Sequence, residues 1–286
     1  MKMLPLKIAS VMLLLLFFSC TEEIPDTPDP VDPNPVDTTA ASKNLLTKTV
    51  FTRPSGVITK LYQYDAQKRL IWYSNTSTDS AYMNDTSKIV RNGEGHIQQI
   101  INWSDIYRDP LIDSVVSNVV YDAAASKYSY KLLQYKSFYR NVKDSTAYAY
   151  DAQNKIIKEE AFLFDSTAKM YRLYAKTDFV WDTKGDVTNI KTVYYSRNKP
   201  DYAFELVYTY DDKINLLNFG NEAIVLRLEQ DFSAHNPVKL VSTYPNPAYN
   251  KSLTYVYKYN SKFRPLSADI TDAISGVKGT MVYTYE

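Results

Sequence analysis

The sequence predicts an all-β fold: a large antiparallel meander of repeated hairpins, wound into a rolled sheet or partial barrel, with a sandwich as the second choice. Three observations predict it. The chain carries 26 tyrosines in 286 residues, and tyrosine at that level favours strands over helices. From Leu45 to Glu286 the dominant period is two, as in Tyr62 and Tyr64, Phe179 and Trp181, or Tyr255, Tyr257 and Tyr259, while no segment carries a convincing helical stripe. A short unit also recurs along the same stretch.

That unit is an aromatic residue, Asp or Asn, four further residues and an apolar residue. It stands as Tyr64-Asp65-Ala66-Gln67-Lys68-Arg69-Leu70, Tyr150-Asp151-Ala152-Gln153-Asn154-Lys155-Ile156 and Trp181-Asp182-Thr183-Lys184-Gly185-Asp186-Val187. Looser copies begin at Arg91, Tyr121, Tyr210 and Tyr259, and Tyr285-Glu286 starts one where the chain stops. The Asp/Asn positions are 65, 92, 122, 151, 182, 211 and 260, so successive spacings are 27, 30, 29, 31, 29 and 49. The long last gap suggests an extra turn between Asp231 and Pro237.

In each unit the aromatic closes a strand and the Asp or Asn caps a turn through its side chain. The fifth position calls for φ > 0, which suits Gly95, Asn154 and Gly185. Lys68, Ile214 and Phe263 fit that role poorly, which suggests other turn types there. Two strands per period give about 14 to 16 strands of up to ~10 residues, too many for a flat open sheet. Lys, Asp and Glu on both strand faces argue against a membrane-spanning barrel.

The N-terminus reads as an address. Lys2 and Lys7 precede the apolar run Ile8 to Phe18, which is too short to span a bilayer and fits a signal-peptide core over residues 1–19. The run ends in Leu16-Phe17-Phe18-Ser19-Cys20, which resembles a bacterial lipobox of Bacteroidetes type and implies a lipidated Cys20. A secreted protein with a stray cysteine is the alternative. Thr21-Glu22-Glu23 resembles a surface-export signal; the alternative is a polar start to the tether. Residues 20–44 hold Pro25, Pro28, Pro30, Pro33 and Pro35 and form an extended spacer ahead of the β domain at 45–286. The membrane is thus a partner through the lipid anchor, and the outer membrane, at the cell surface in one reading, is the expected location.

The aromatic-Asp unit resembles the YD repeats of Rhs and teneurin shells. The order of Tyr208-Thr209-Tyr210-Asp211, Ser233-Ala234-His235-Asn236-Pro237 and Tyr255-Val256-Tyr257-Lys258-Tyr259-Asn260 resembles a family of Bacteroides lipoproteins of unknown function with a porin-like β fold. That family implies no catalytic residues, and no cofactor is expected. Five dipeptides, at Asp37-Thr38, Asp79-Ser80, Asp113-Ser114, Asp144-Ser145 and Asp165-Ser166, resemble an O-glycosylation signal of exported Bacteroidetes proteins. This makes Thr38, Ser80, Ser114, Ser145 and Ser166 candidate glycan sites, with Asp-Ser as a plain turn dipeptide the alternative.

Composition narrows the function classes. Lys+Arg 33 against Asp+Glu 32 gives no electrostatic reason for a nucleic-acid partner. One cysteine and two histidines, His96 and His235, leave no Cys-rich and few His-built metal sites. Both histidines fall at turn positions. Tyr62, Tyr64, Tyr148, Tyr150, Tyr208, Tyr210, Tyr255 and Tyr257 approach their turns on alternate positions and predict an aromatic band near one end of the sheet. Buried, such a band is core; exposed, it is a platform for a glycan or protein ligand. The expected function is therefore a lipid-anchored, non-catalytic binding module or scaffold. A carboxylate-dependent hydrolase and a purely structural envelope protein are the alternatives.

Overall fold

The computed structural model describes residues 45–79, 84–104, 114–136, 141–196, 199–215, 217–228 and 233–286. These form sixteen strands: β1 (Leu46–Arg53), β2 (Gly56–Tyr64), β3 (Leu70–Ser77), β4 (Asp85–Arg91), β5 (Ile97–Ser104), β6 (Val115–Asp122), β7 (Lys127–Lys136), β8 (Asn141–Tyr150), β9 (Ile156–Asp165), β10 (Met170–Trp181), β11 (Val187–Ser196), β12 (Lys199–Ile214), β13 (His235–Thr243), β14 (Lys251–Tyr259), β15 (Pro265–Asp272) and β16 (Lys278–Tyr285). Each pairs antiparallel with its chain neighbours, and β1 pairs with β16, so the meander closes into a barrel. The expected all-β meander is present, and the expected curl goes to full closure, which removes both sheet edges. At the seam, the Leu45 N–H donates to the Glu286 carbonyl and the Glu286 N–H to the Leu45 carbonyl.

The repeated unit builds one end of the barrel. In five copies the Asp or Asn side chain accepts two backbone N–H groups, two and four residues ahead. Asp65 serves Gln67 and Arg69, Asn92 serves Glu94 and His96, and Asp151 serves Gln153 and Lys155. Asp182 serves Lys184 and Asp186, and Asn260 serves Lys262 and Arg264. The fifth residue of each unit has positive φ: Lys68 62°, Gly95 95°, Asn154 63°, Gly185 96° and Phe263 56°. Lys68 and Phe263 thus take the same turn as the glycines, correcting the expectation of other turn types. Two anchored N–H groups outweigh the cost of the left-handed conformation for a side chain, about 1–2 kcal/mol. Gly185→Val is expected to cost about 1 kcal/mol or more and Gly185→Asn less, because a β-branched residue is strained at this φ; equal melting temperatures for the two variants would contradict the assignment.

After each turn the return strand carries one extra residue, seen as a register shift at Gln63/Tyr64, Val90/Arg91, Val120/Tyr121, Ala149/Tyr150, Val180/Trp181 and Lys258/Tyr259. Such a bulge resets the in–out phase. Both the strand-closing side chain and the first apolar residue of the return strand can then point inward. Leu70, Ile97, Ile156 and Val187 are buried accordingly.

The strand-closing side chains also lock neighbouring hairpins together. Tyr64 donates to the Leu46 carbonyl, Tyr150 to Tyr128, Trp181 to Ile156, Tyr210 to Val187 and Tyr285 to Pro265, while in the Tyr259 unit Tyr257, two residues before the strand end, donates to Pro237. The Arg91 guanidinium does the same to Leu70. Each bond runs to the first residues of the preceding return strand, so the turn end is ringed by side chain–backbone bonds, each contributing about 1 kcal/mol.

Between β12 and β13 the chain departs from the repeat. Strand β12 runs on to Ile214, and the following segment folds into the lumen as a six-residue helix, α1 (Asn221–Leu226). Ala223, Ile224, Val225 and Leu226 are buried. The long spacing before Asn260 therefore holds an inward plug, and the start of the turn expected between Asp231 and Pro237 lies outside the described residues. Sixteen strands enclose more space than their own side chains fill, and the plug occupies the turn half of that space.

Candidate functional site

Directly paired residues share a face of the sheet, so the register sorts every strand position as inward or outward. On the inside, the turn half is solid. Tyr62, Tyr208 and Tyr255 are buried, and Tyr64, Tyr148, Tyr150, Tyr210 and Tyr257 are partly buried against the same core. Burial raises the phenol of Tyr150 to about 12 and holds those of Tyr148, Tyr210 and Tyr257 above the ordinary value. All eight tyrosines of the expected band thus lie on the inner wall, and several spend their hydroxyls on the locks described above.

The plug spans this half. Glu222 receives both terminal nitrogens of Arg91 at 2.8 Å and the Tyr128 hydroxyl at 2.7 Å. Asn221 accepts from the Ile156 N–H and donates to the Asn154 carbonyl. Lys131 donates to the Val225 carbonyl at 3.0 Å and Tyr73 to the Leu226 carbonyl. Arg227 reaches Glu159 at 3.3 Å. The partners come from β3, β4, β7 and β9, across the ring from where the segment enters. Burial lowers the Lys131 ammonium to about 7; Arg227 adds to this and Glu159 opposes it.

In the other half the inner wall is buried over β1 to β6, at Phe51, Ile58 and Val115, and is less covered over β9. Leu163 faces inward, paired with Asp144 on β8 and Arg172 on β10, yet it is 36% exposed. The plug closes the turn half, and the exposed inner wall beside Leu163, at the end away from the repeated turns, is the mouth of the lumen. One wall of the mouth is aromatic. Tyr174 lies 5.4 Å from Tyr194 in an edge-on contact, Tyr194 5.6 Å from Tyr202, Tyr202 6.4 Å from Phe204, and Phe204 stacks on Tyr244 at 5.0 Å. Tyr244 meets Tyr249, which is exposed, at 6.4 Å. Phe204 is buried and the other tyrosines are half-buried. On the facing side Lys60, Asn75 and Asp85 are inward neighbours on β2, β3 and β4, beside the buried Phe51 and Ile58. Burial pushes the Asp85 carboxyl up to about 6 against the pull of Lys60 and Asn75.

This aromatic wall is made by residues outside the repeated unit. Its only sequence signal is the alternation of Tyr202 and Phe204 on one strand beside Tyr194 on the next. The two histidines are tied into turns. His235 shares Asp186 through its backbone N–H at 2.9 Å and its Nδ1 at 2.8 Å, which couples the start of β13 to the β10–β11 turn. His96 stacks on Tyr121 at 3.5 Å. Among the described residues no group of three or more His, Cys, Asp or Glu is placed to hold a metal ion. Of the candidate glycan sites, Ser166 is exposed in the β9–β10 turn, where Asp165 accepts from Thr167 and Ala168. Ser145 lies on the outer face of β8, opposite Leu132 and Phe162, and Ser114 just precedes β6; both are half-buried. Cys20, Thr38 and Ser80 fall outside the described residues.

The outside of the barrel is wet over its second half. Lys158 is paired with Asp178, Asp178 with Lys191 and Lys191 with Glu205, forming an outward charged row across β9 to β12. Lys176 and Glu160 form a second such pair.

No family model matches the chain, and no curated protein matches it. Among solved structures it is similar to a porin-like protein from Bacteroides uniformis, with 12% identity, 84% of this chain and 96% of that chain covered, and a TM-score of 0.51. It is likewise similar to a porin-like protein from Bacteroides vulgatus, with 13% identity, 85% and 99% covered, and a TM-score of 0.51. At these identities the likeness establishes the closed antiparallel barrel as the shared feature.

Proposed function

We propose that the protein is a lipid-anchored envelope protein, held at the outer membrane through Cys20, whose barrel stands in water as a non-catalytic binding module for a glycan. Two physical arguments support a barrel that does not cross the bilayer. A membrane barrel needs an apolar band around its whole circumference, and each lysine at mid-depth costs about 2–4 kcal/mol; the row Lys158, Asp178, Lys191 and Glu205 breaks any such band. The plug fills the turn half of the lumen with buried Ala223, Ile224, Val225 and Leu226, which blocks a conduit through the barrel.

The observation that carries the binding reading is the contiguous wall of Tyr174, Tyr194, Tyr202, Phe204, Tyr244 and Tyr249 at the open mouth. Aromatic rings with polar tips suit the apolar faces and hydroxyls of a sugar, and Arg172, inward and partly exposed opposite Leu163, supplies a charged hydrogen-bonding group at the same mouth. The test is a glycan array, with a peptide library as its second arm. Tyr202→Ala is expected to weaken the retained glycan about tenfold, equal to ~1.4 kcal/mol, with a small change in melting temperature because the ring is half-buried at the rim. Retention of peptides alone would move the ligand class. Retention of neither would leave the purely structural envelope protein as the better reading.

A further inference from the structure

The outer face of the barrel is divided. Over β8 to β16 it is studded with Lys158, Glu160, Lys176, Asp178, Lys191 and Glu205. Over β1 to β7 the described outward strand positions hold one carboxylate, Asp122, at the turn end of β6 opposite Lys127. Asp85 faces the lumen, paired with Asn75 and Ser104, and Asp122 closes a turn through the Ala125 N–H. Away from the turns, two outward lysines on this flank stand opposite apolar residues: Lys48 opposite Leu61, and Lys88 opposite Trp72 and Ile101. Around Lys88 the register places Trp72, Ile101 and Val116 side by side, with Trp103 one outward position further along β5. Two of the three tryptophans of the chain thus face out on one flank, and Tyr130, opposite Val120, is exposed beside them.

We propose that this flank rests on the surface of an anionic lipid bilayer, so that the barrel lies along the membrane. The charge pattern selects the occupant: lysines without neighbouring carboxylates attract anionic headgroups, at about 1 kcal/mol per basic residue near the surface. Tryptophan and tyrosine are the side chains that settle at the headgroup level. The tether permits the contact. Strand β1 belongs to this flank, and the chain ahead of it, residues 21–44, is proline-rich. At ~3.1 Å per residue such a spacer reaches up to about 75 Å, well beyond the ~30 Å length of the strands. The orientation rests on the lipid-anchor reading, whereas the affinity of the flank for lipid does not.

The test separates the two. All sixteen strands close between Leu45 and Glu286, so a chain lacking residues 1–19 and carrying Cys20→Ser keeps the whole barrel and has no lipid of its own. Mixed with vesicles of brominated phosphatidylglycerol and phosphatidylcholine, its tryptophan fluorescence should be quenched. The quenching should be lost in Trp72→Phe/Trp103→Phe, which leaves only Trp181, an inward ring bonded to the Ile156 carbonyl. Lys48→Glu/Lys88→Glu should weaken vesicle binding at least tenfold. Absence of quenching, quenching that survives the double tryptophan variant, or a flank-dependent dimer that ignores vesicles would overturn the proposal.

Discussion

Arg91→Ala should destabilise the barrel by about 3–5 kcal/mol and free the plug. The Arg91 side chain is 6% exposed, and it donates to the Leu70 and Gly95 carbonyls as well as to both oxygens of Glu222. Truncation leaves two carbonyls and a carboxylate short of donors in a desolvated space, the situation in which breaking an ion pair costs most. Glu222 would keep only the Tyr128 hydroxyl among the contacts described above. The double variant Arg91→Ala/Glu222→Gln should therefore recover part of the loss, since no charge is then stranded. Chemical denaturation measures the totals, and hydrogen exchange at Ala223 to Leu226 reports the plug. A loss below about 1 kcal/mol, with unchanged exchange, would contradict the assignment of Arg91 as the plug's main anchor.

Tyr150→Ala should cost about 3 kcal/mol or more. The ring packs against the core, its hydroxyl donates to the Tyr128 carbonyl at 2.7 Å, and Lys127 stands 5.1 Å above its face. The loss combines a cavity, a hydrogen bond and a cation–π contact. Tyr150→Phe removes only the hydroxyl and should cost about 1 kcal/mol. The difference between the two separates packing from the lock. If Tyr150→Ala unfolds at the wild-type denaturant midpoint, the turn-half tyrosines are not core.

Much of the fold was legible because the repeated unit states its own physics. Tyr64-Asp65 and its copies mark strand end, turn cap and return strand in seven residues, and the structure uses them for lock, Asx turn and core in that order. What could not be read depends on partners far apart in sequence. Closure requires Leu46 to meet Tyr285, and no local pattern encodes that pairing. Lys68 and Phe263 looked wrong for positive φ because propensity was weighed alone, without the two N–H groups that Asp65 and Asn260 anchor. The plug left one trace, the spacing of 49 residues before Asn260, and its six-residue helix is too short to show a stripe. The mouth was missed for a related reason. The repeat drew attention to tyrosines beside the turns, whereas Tyr174, Tyr194, Tyr202 and Tyr244 belong to no repeat and gather only when β10 to β13 lie side by side.

The central claim is that this barrel is packed from within and wetted from without. Sedimentation of the chain lacking residues 1–19 and carrying Cys20→Ser, in buffer free of detergent and lipid, tests it most directly. A water-borne barrel predicts a monodisperse species of about the chain's own mass with strand-rich circular dichroism, because the charged rows of β9 to β12 face solvent while the turn-half tyrosines and the plug pack the lumen. A protein that aggregates in buffer and becomes monodisperse only in detergent micelles would contradict the account and point to a barrel that spans the membrane.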